Sequence, residues 1–240
     1  MQIMKALRMV SEMPKPRQAE VHRETTETGV DMVLSLDPDV SVEFVTARAP
    51  DISASCGFLE HMLRILTFHG QLDLKMHAYG DTEVDCHHLV EDVGICFGQA
   101  LREALGDKRG IARYGSGLAP MDDALSMVVV DLSGRPYLHF NVPMPCAKAG
   151  DFDTELVEEF MRALANHGQL TLHIDLLHGS NTHHIIESVF KSLALALRQA
   201  VARDTNVDAD TDAGTGANAG SGGKSSGRTA RQIPSTKGVL

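Results

Sequence analysis

An internal duplication constrains this chain more than any other feature. HGQLDL at 69–74 returns as HGQLTL at 167–172, 98 residues later, and HHLVE at 87–91 returns as HHIIE at 183–187, 96 residues later. Each HHxxE is followed at the same distance by ALRxA, at 100–104 and 196–200. Upstream, VLSLDP at 33–38 stands 96 residues before VVDLSG at 129–134, and Phe44 stands 96 before Phe140. A unit of roughly 95 residues is a half-domain, too long to be one turn of a solenoid. The chain must therefore fold as two similar halves, expected at 23–120 and 121–203, behind an N-terminal extension at 1–22.

Both halves carry the same run of periodicities. Val30, Met32, Leu34 and Leu36 alternate with polar residues, and Asp37-Pro38-Asp39 predicts a hairpin turn into Val40, Val42 and Phe44. The second copy is expected to turn at Ser133-Gly134-Arg135-Pro136. An amphipathic helix follows, marked by Phe58, Leu59, Met62, Leu63 and Leu66 and ended by Gly70. Its twin has Leu156, Val157, Phe160, Met161 and Leu164, with Thr154 as N-cap and Gly168 after the end. A third strand is expected at 72–78 and 170–176, and a long helix at 87–105 and 183–203. The order is β-β-α-β-α, with room for a short extra strand. The fold class is α+β, and two such halves bury their helices by packing helix to helix.

Residues 204–231 are Gly, Ala, Ser, Thr and Asp with almost no large apolar side chain. Such a segment cannot offset its own ordering entropy and reads as a disordered linker. The last residues, 232–240, contain Ile233 and the run PSTKGVL, and read as a tail that docks.

Composition narrows the function classes. The formal charge of −10 disfavours nucleic-acid binding, which needs a basic footprint. No apolar run reaches the roughly 18–20 residues that span a bilayer. Residues 1–10 hold Lys5 and Arg8 but no continuous apolar core, so no secretion signal is read. The four cysteines form no C-x-x-C pair and read as reduced thiols of a cytoplasmic protein. Of the 12 histidines, 11 lie between His61 and His184, which directs attention to metal chemistry.

HHxxE on a helix has a definite geometry. At about 100° per residue, His87 and Glu91 lie about 40° apart, whereas the two adjacent imidazoles lie about 100° apart. The i, i+4 pair therefore suits one metal ion, and the i+1 imidazole another. The twin, His183, His184 and Glu187, offers the same set. Imidazole and carboxylate donors suit Mn, Fe, Co or Zn rather than Ca or a thiolate site. His61 adds a candidate ligand from the preceding helix, and its mate at offset 98 is Glu159, another possible ligand. His173 has no such mate, since Lys75 stands there. His22, His77, His139 and His178 read as ordinary hydrogen-bonded imidazoles. A packing role gives no reason to place His, His and Glu identically twice. Basic residues stand where turns are expected: Arg113 in GIARYG, Arg135 in SGRP and Lys237 in STKG. Together with Ser and backbone N–H groups they suggest a phosphate cradle.

At this point the motifs resemble a known family. FLEHML, GDTEVDCHHLVEDVGI, ALGDKRGIARYG, PMDDAL, VDLSGRPYL, TLHI, GSNTHHIIESVFK and PSTKGVL occur in order and resemble imidazoleglycerol-phosphate dehydratases. The resemblance covers 23–203 and the last eight residues. It implies dehydration of imidazole-glycerol phosphate to imidazole-acetol phosphate in histidine biosynthesis. It further implies helices sandwiched between two four-stranded sheets, Mn2+ (two per active site), and a homo-oligomer of 24 subunits with interfacial active sites. Carried over by position, metal ligands are His61, His87, His88, Glu91, His183, His184 and Glu187, with Glu159 where many members have His. Glu27 and Lys191 are implied substrate contacts, and Arg113, Arg135, Ser235 and Lys237 phosphate contacts. Glu27, Glu91 and Glu187 are the candidates for moving the substrate proton. Two other classes compete: a dinuclear metal hydrolase of a small phosphorylated substrate, and a metal-stapled structural assembly. The hydrolase wants extra bridging carboxylates beside HHxxE, and the assembly has no use for Arg113, Arg135 and Lys237.

Overall fold

The computed structural model describes residues 16–37, 51–203 and Pro234. Two four-stranded sheets have identical topology, which is the duplication seen in three dimensions. The first has the order β1 (Gln18–Glu24), β2 (Thr28–Ser35), β4 (Asp73–Gly80), β3 (Asp51–Ala54). The second has β5 (Tyr114–Met121), β6 (Ala124–Asp131), β10 (Thr171–His178), β7 (Tyr137–Asn141). In each sheet the first three neighbours pair antiparallel and the last pair is parallel. A two-stranded ribbon, β8 (Lys148–Ala149) with β9 (Phe152–Asp153), precedes the third helix.

Four helices fill the space between the sheets: α1 (Gly57–Gly70), α2 (His87–Leu105), α3 (Leu156–Gly168) and α4 (Thr182–Val201). Helix α2 lies on β1 and β2, and α4 lies on β5 and β6. The other two helices cross over: α1 packs on α4 and α3 packs on α2. Each half thus lends one helix to the other, and the apolar faces of both sheets close one core. Leu34, Leu74, Leu63, Leu66, Val130, Leu172, Phe97 and Leu193 are buried in it. Strand alternation supplies the sheet side: Val30, Met32 and Leu34 are buried on β2, and Val128 and Val130 on β6.

Several expectations change. The turn at 37–39 leads into residues outside the described set, while β2 pairs with β1 through a turn at 25–27. Residues 133–136 do not make a hairpin, because β10 inserts between β6 and β7 and takes both as neighbours. β1 begins at Gln18, within the expected extension, and β5 lies in the second sheet. The sheets therefore divide the chain between Leu105 and Tyr114 rather than at 120. Gly70 and Gly168 close their helices as last residues, while Gln71 (φ 52°) and Gln169 (φ 50°) take the left-handed cap positions. Gly168 serves packing instead: a Cβ on Gly98 of α2 would sit 2.7 Å from its nitrogen. Thr154 is not the N-cap; its hydroxyl donates to the Cys146 and Ala147 carbonyls, and Glu155 stands at the helix start. The linker 204–231 and, apart from Pro234, the tail 232–240 lie outside the described residues.

Candidate metal centre

The helix crossing decides which side chains meet. α1 carries His61 and α4 carries His183 and Glu187, so packing α1 on α4 joins a candidate ligand from one half to two from the other. His61 Nε2 and His183 Nε2 stand 3.7 and 3.4 Å from Glu187 Oε2. One nitrogen of each ring and one carboxylate oxygen lie within 4.8 Å of one another, the geometry of a shared cation. Phe58, one turn before His61, meets the His183 ring edge-on at 5.3 Å and stacks on Phe152 at 4.8 Å. This aromatic wall restrains the imidazole from its apolar side.

Glu187 is buried, which by itself opposes ionisation. The Lys191 ammonium at 2.8 Å and the imidazoles of His61 and His183 outweigh burial and hold its carboxyl below the ordinary value. Lys191 is one helical turn beyond Glu187, and its Nζ also contacts Met121 Sδ at 3.2 Å. At neutral pH the site therefore holds an ionised carboxylate facing two imidazoles.

The i+1 imidazoles turn elsewhere. His184 Nδ1 lies 2.7 Å from Asp123 Oδ1, in the β5–β6 turn. Asp123 is held ionised by that contact and by N–H and O–H donors from Ser180 and Asn181. His88 Nδ1 lies 3.1 Å from Asp81 Oδ2 and 3.6 Å from Glu27 Oε2, and the Asp81 hydrogen bond raises its pKa. Glu27, Asp81 and His88 form the second three-ligand group among the described residues. His87, Glu91 and Glu159 do not form a third: Glu91 is exposed and Glu159 half-buried. His173 sits on the outward face of β10, its ring tilted against those of Tyr137 and His139, so it belongs to neither group.

Side-chain oxygens meet the first N–H groups of these helices, from the Asn181 N-cap in α4 and from Asp85, one residue before the N-cap Cys86, in α2. Asp85 accepts from His87 N at 2.7 Å, and Asn181 accepts from His184 N at 3.2 Å. Just inside α2, buried Asp92 accepts from Arg23 Nε at 2.8 Å and from the Thr28 hydroxyl, fastening the turn that bears Glu27. The repeat position of Asp92 is Ser188, which bonds Ser126 at 2.6 Å.

The cationic cradle lies at the other end of the sandwich. Arg113 donates twice to Asp131, at 2.7 and 3.2 Å, and from Nη1 to the Pro234 carbonyl at 2.7 Å. Arg135 is 67% exposed and stands 3.8 Å from Asp131. Buried Lys108 donates to the Leu132 carbonyl, and burial lowers its pKa. Ser235 and Lys237 lie outside the described residues, but Pro234, immediately before them, is seated on Arg113.

A family model described as imidazoleglycerol-phosphate dehydratase matches residues 54–197. The chain belongs to the imidazoleglycerol-phosphate dehydratase family. A dehydratase is a hydro-lyase, and the chain is an enzyme of that class. It is 51% identical over 224 residues to the imidazoleglycerol-phosphate dehydratase of Roseobacter denitrificans, covering 93% of this chain and 100% of the relative. The dehydratase of Desulforamulus reducens is 47% identical, with 93% of this chain and 98% of the relative covered. The crystal structure of the Staphylococcus aureus dehydratase superposes with a TM-score of 0.67 at 43% identity, over 78% of this chain and 99% of that one. That of Pyrococcus furiosus gives 0.65 at 32% identity, over 92% and 100%. The α+β sandwich of two four-stranded sheets is the fold of that family.

Sequence reasoning missed Asp81, Asp123 and Asp131. Asp123 had a usable signal, since it lies 96 residues after Glu27, the repeat offset. The four cysteines are free; Cys86 and Cys96 thiols are pushed up to about 12, chiefly by burial, and stay protonated. Among the described residues no helix is long and apolar enough to cross a membrane.

Proposed function

We propose that the chain dehydrates imidazole-glycerol phosphate to imidazole-acetol phosphate in histidine biosynthesis, in the cytoplasm, using two Mn2+ ions per active site. The observation that carries the metal part is the meeting of His61, His183 and Glu187. Ligand atoms of one first-row divalent ion, each about 2.1 Å from it, lie about 3–4 Å apart. The 3.4 and 3.7 Å separations fit that requirement, and the nitrogen and oxygen donors suit manganese. His87, Glu91 and Glu159 are the repeat counterparts for a second ion, and His88 and His184, each facing a loop carboxylate at Nδ1, would complete sites with other groups. Family membership sets the hydrolase and the purely structural assembly aside.

The bound ions supply Lewis acidity to the substrate's ring nitrogens. The chain's own residues do the rest. Glu187, kept ionised by Lys191, remains a ligand at neutral pH. Glu27, on a turn fastened by Thr28 and Asp92, has an exposed carboxylate beside His88 and is the base that moves the side-chain proton. Arg135, exposed at its turn, receives the phosphate. Arg113 is committed to Asp131 and to the Pro234 carbonyl, and Ser235 and Lys237, which follow Pro234 in sequence, are the phosphate contacts that the resemblance implies.

One chain does not complete this arrangement. Arg113 N donates to the Ala200 carbonyl at the end of α4, whereas His183 opens that helix. Seventeen residues of helix separate them, about 25 Å. A three-carbon chain between ring and phosphate spans well under half of that. The cradle of one subunit therefore serves the metal ligands of another, in a homo-oligomer for which the resemblance implies 24 subunits.

The test is to strip the protein with a chelator, restore manganese, and assay enol formation. Activity is expected to disappear and return. Activity indifferent to metal would defeat the proposal. Arg135→Ala is expected to raise KM about tenfold or more, with manganese still bound.

A further inference from the structure

Each HHxxE helix has a second imidazole whose Nδ1 is occupied by a loop carboxylate. On α4, Asp123 Oδ1 takes His184 Nδ1 at 2.7 Å. The other oxygen, Oδ2, is pinned by Ser180 N at 2.7 Å, Ser180 Oγ at 2.9 Å and Asn181 N at 3.0 Å. A carboxylate with three donors on one oxygen has a fixed orientation, and so does the ring that meets the other oxygen. On the far side of that ring, Nε2 stands 3.8 Å from Asp122 Oδ2, beyond hydrogen-bond distance. On α2, Asp81 presents Oδ2 and Oδ1 to His88 Nδ1 at 3.1 and 3.3 Å.

An ionised carboxylate only accepts hydrogen bonds. The proton of each ring therefore belongs on Nδ1, and the lone pair on Nε2. We propose that Asp81 and Asp123 are positioning residues that fix this tautomer in His88 and His184 and aim Nε2 at a divalent cation. The two are not repeat counterparts. Asp123 corresponds to Glu27, whereas β4 and β10 stand 98 residues apart, so the position corresponding to Asp81 is Gly179. In the first half Asp81 has taken over the task that Asp123 performs in the second. Glu27 stands back at 3.6 Å from Nδ1, released from orienting the imidazole and available to substrate. The duplication has thereby separated a positioning carboxylate from a reactive one.

This inference rests on the metal reading above, and its test separates the two. Wild type, Asp81→Asn, Asp81→Ala, Asp123→Asn and Asp123→Ala are dialysed as whole oligomers against graded free Mn2+, and bound metal is measured by elemental analysis. The Ala variants are expected to bind about 10–100-fold more weakly, the usual loss when a partner of a ligating His is removed. Asp81→Asn keeps an acceptor for Nδ1–H and is expected to lose less than Asp81→Ala, whereas at Asp123 the donors on Oδ2 compete for the single amide oxygen and Asp123→Asn is expected to lose about as much as Ala. Equal affinity in wild type and Ala variants overturns the proposal, and so does Asp81→Asn as weak as Asp81→Ala. Melting of the metal-free proteins is recorded alongside. A loss of affinity that merely tracks a lowered melting temperature shows a structural role and also overturns it. Glu27→Gln is expected to keep the full manganese content; loss of a whole equivalent would put the ion on Nδ1 and overturn the tautomer. A wild type that binds no manganese overturns the metal reading instead.

Discussion

Asp37 was legible only as a turn former, yet its carboxylate joins the two halves. Arg17 grips it through Nε at 3.0 Å and Nη2 at 2.6 Å, Arg203 adds a bond at 3.0 Å, and Arg17 reaches on to the Val201 carbonyl at the end of α4. The Arg17 guanidinium holds the Asp37 carboxyl well below the usual carboxylate range, against the opposing effect of burial. A lowered folded-state pKa contributes stability that is full above the unfolded value of about 3.9 and is lost as pH falls through the folded value. Asp37→Asn is expected to lower stability of the metal-free protein by about 1 kcal/mol at pH 7, a figure already reduced for solvent screening of a one-third-exposed group. Urea denaturation at pH 7 and pH 3 checks it: the gap between variant and wild type should begin to narrow at pH 3, because Asp37 protonates there in the unfolded chain while the folded carboxyl stays ionised. The same limit on reading single residues applied at the site. The i, i+4 relation of His183 to Glu187 was visible along the chain. The pairing of His184 with Asp123 was not, because the two are 61 residues apart and meet only through the β5–β6 turn.

Elements pack closely enough that four glycines decide where they lie. A Cβ on Gly115 or Gly117 of β5 would stand 1.9 Å from the Ala196 or Ser192 carbonyl oxygen of α4. A Cβ on Gly94 or Gly98 of α2 would stand within 2.9 Å of α3, against Phe160, Ala163, Leu164 and Gly168. Ala normally outdoes Gly in a helix interior by about 1 kcal/mol. Gly98→Ala is expected to reverse that sign and destabilise by about 1–3 kcal/mol, because the atoms it meets are backbone. Gly117→Ala is expected to be worse, lifting α4 and the HHxxE at its start off the sheet, with chemical denaturation as the measurement. The sequence marked α2 as 87–105, matching its observed span, because 3.6-residue periodicity is a property of consecutive residues. Gly70 ends α1 as expected, whereas Gly168, expected just past α3, is its last residue, because local rules see a glycine near a helix end but not the helix crossing it.

At the scale of the molecule, the halves exchange helices, and this exchange builds the candidate centre. It also leaves the proposed cationic cradle and the candidate metal ligands at opposite ends of α4. Subunits carrying His183→Ala and subunits carrying Arg135→Ala are each expected to be nearly inactive, yet oligomers reassembled from both should regain activity. Some of their sites combine an intact cradle with an intact ligand set. Mixed oligomers as inactive as the parents would place both functions in one chain. The particle mass by light scattering should be a multiple of the 26.0 kDa chain. Sequence alone determined the duplication, the four helices and the ligand spacing within each HHxxE, since all of these are written in neighbouring residues or in a repeated string. Tertiary structure alone decided that β10 enters between β6 and β7, that His61 meets His183, and that carboxylates from turns hold His88 and His184. Those contacts follow from which apolar faces bury against each other, and local periodicity says that a face is apolar without saying what will cover it.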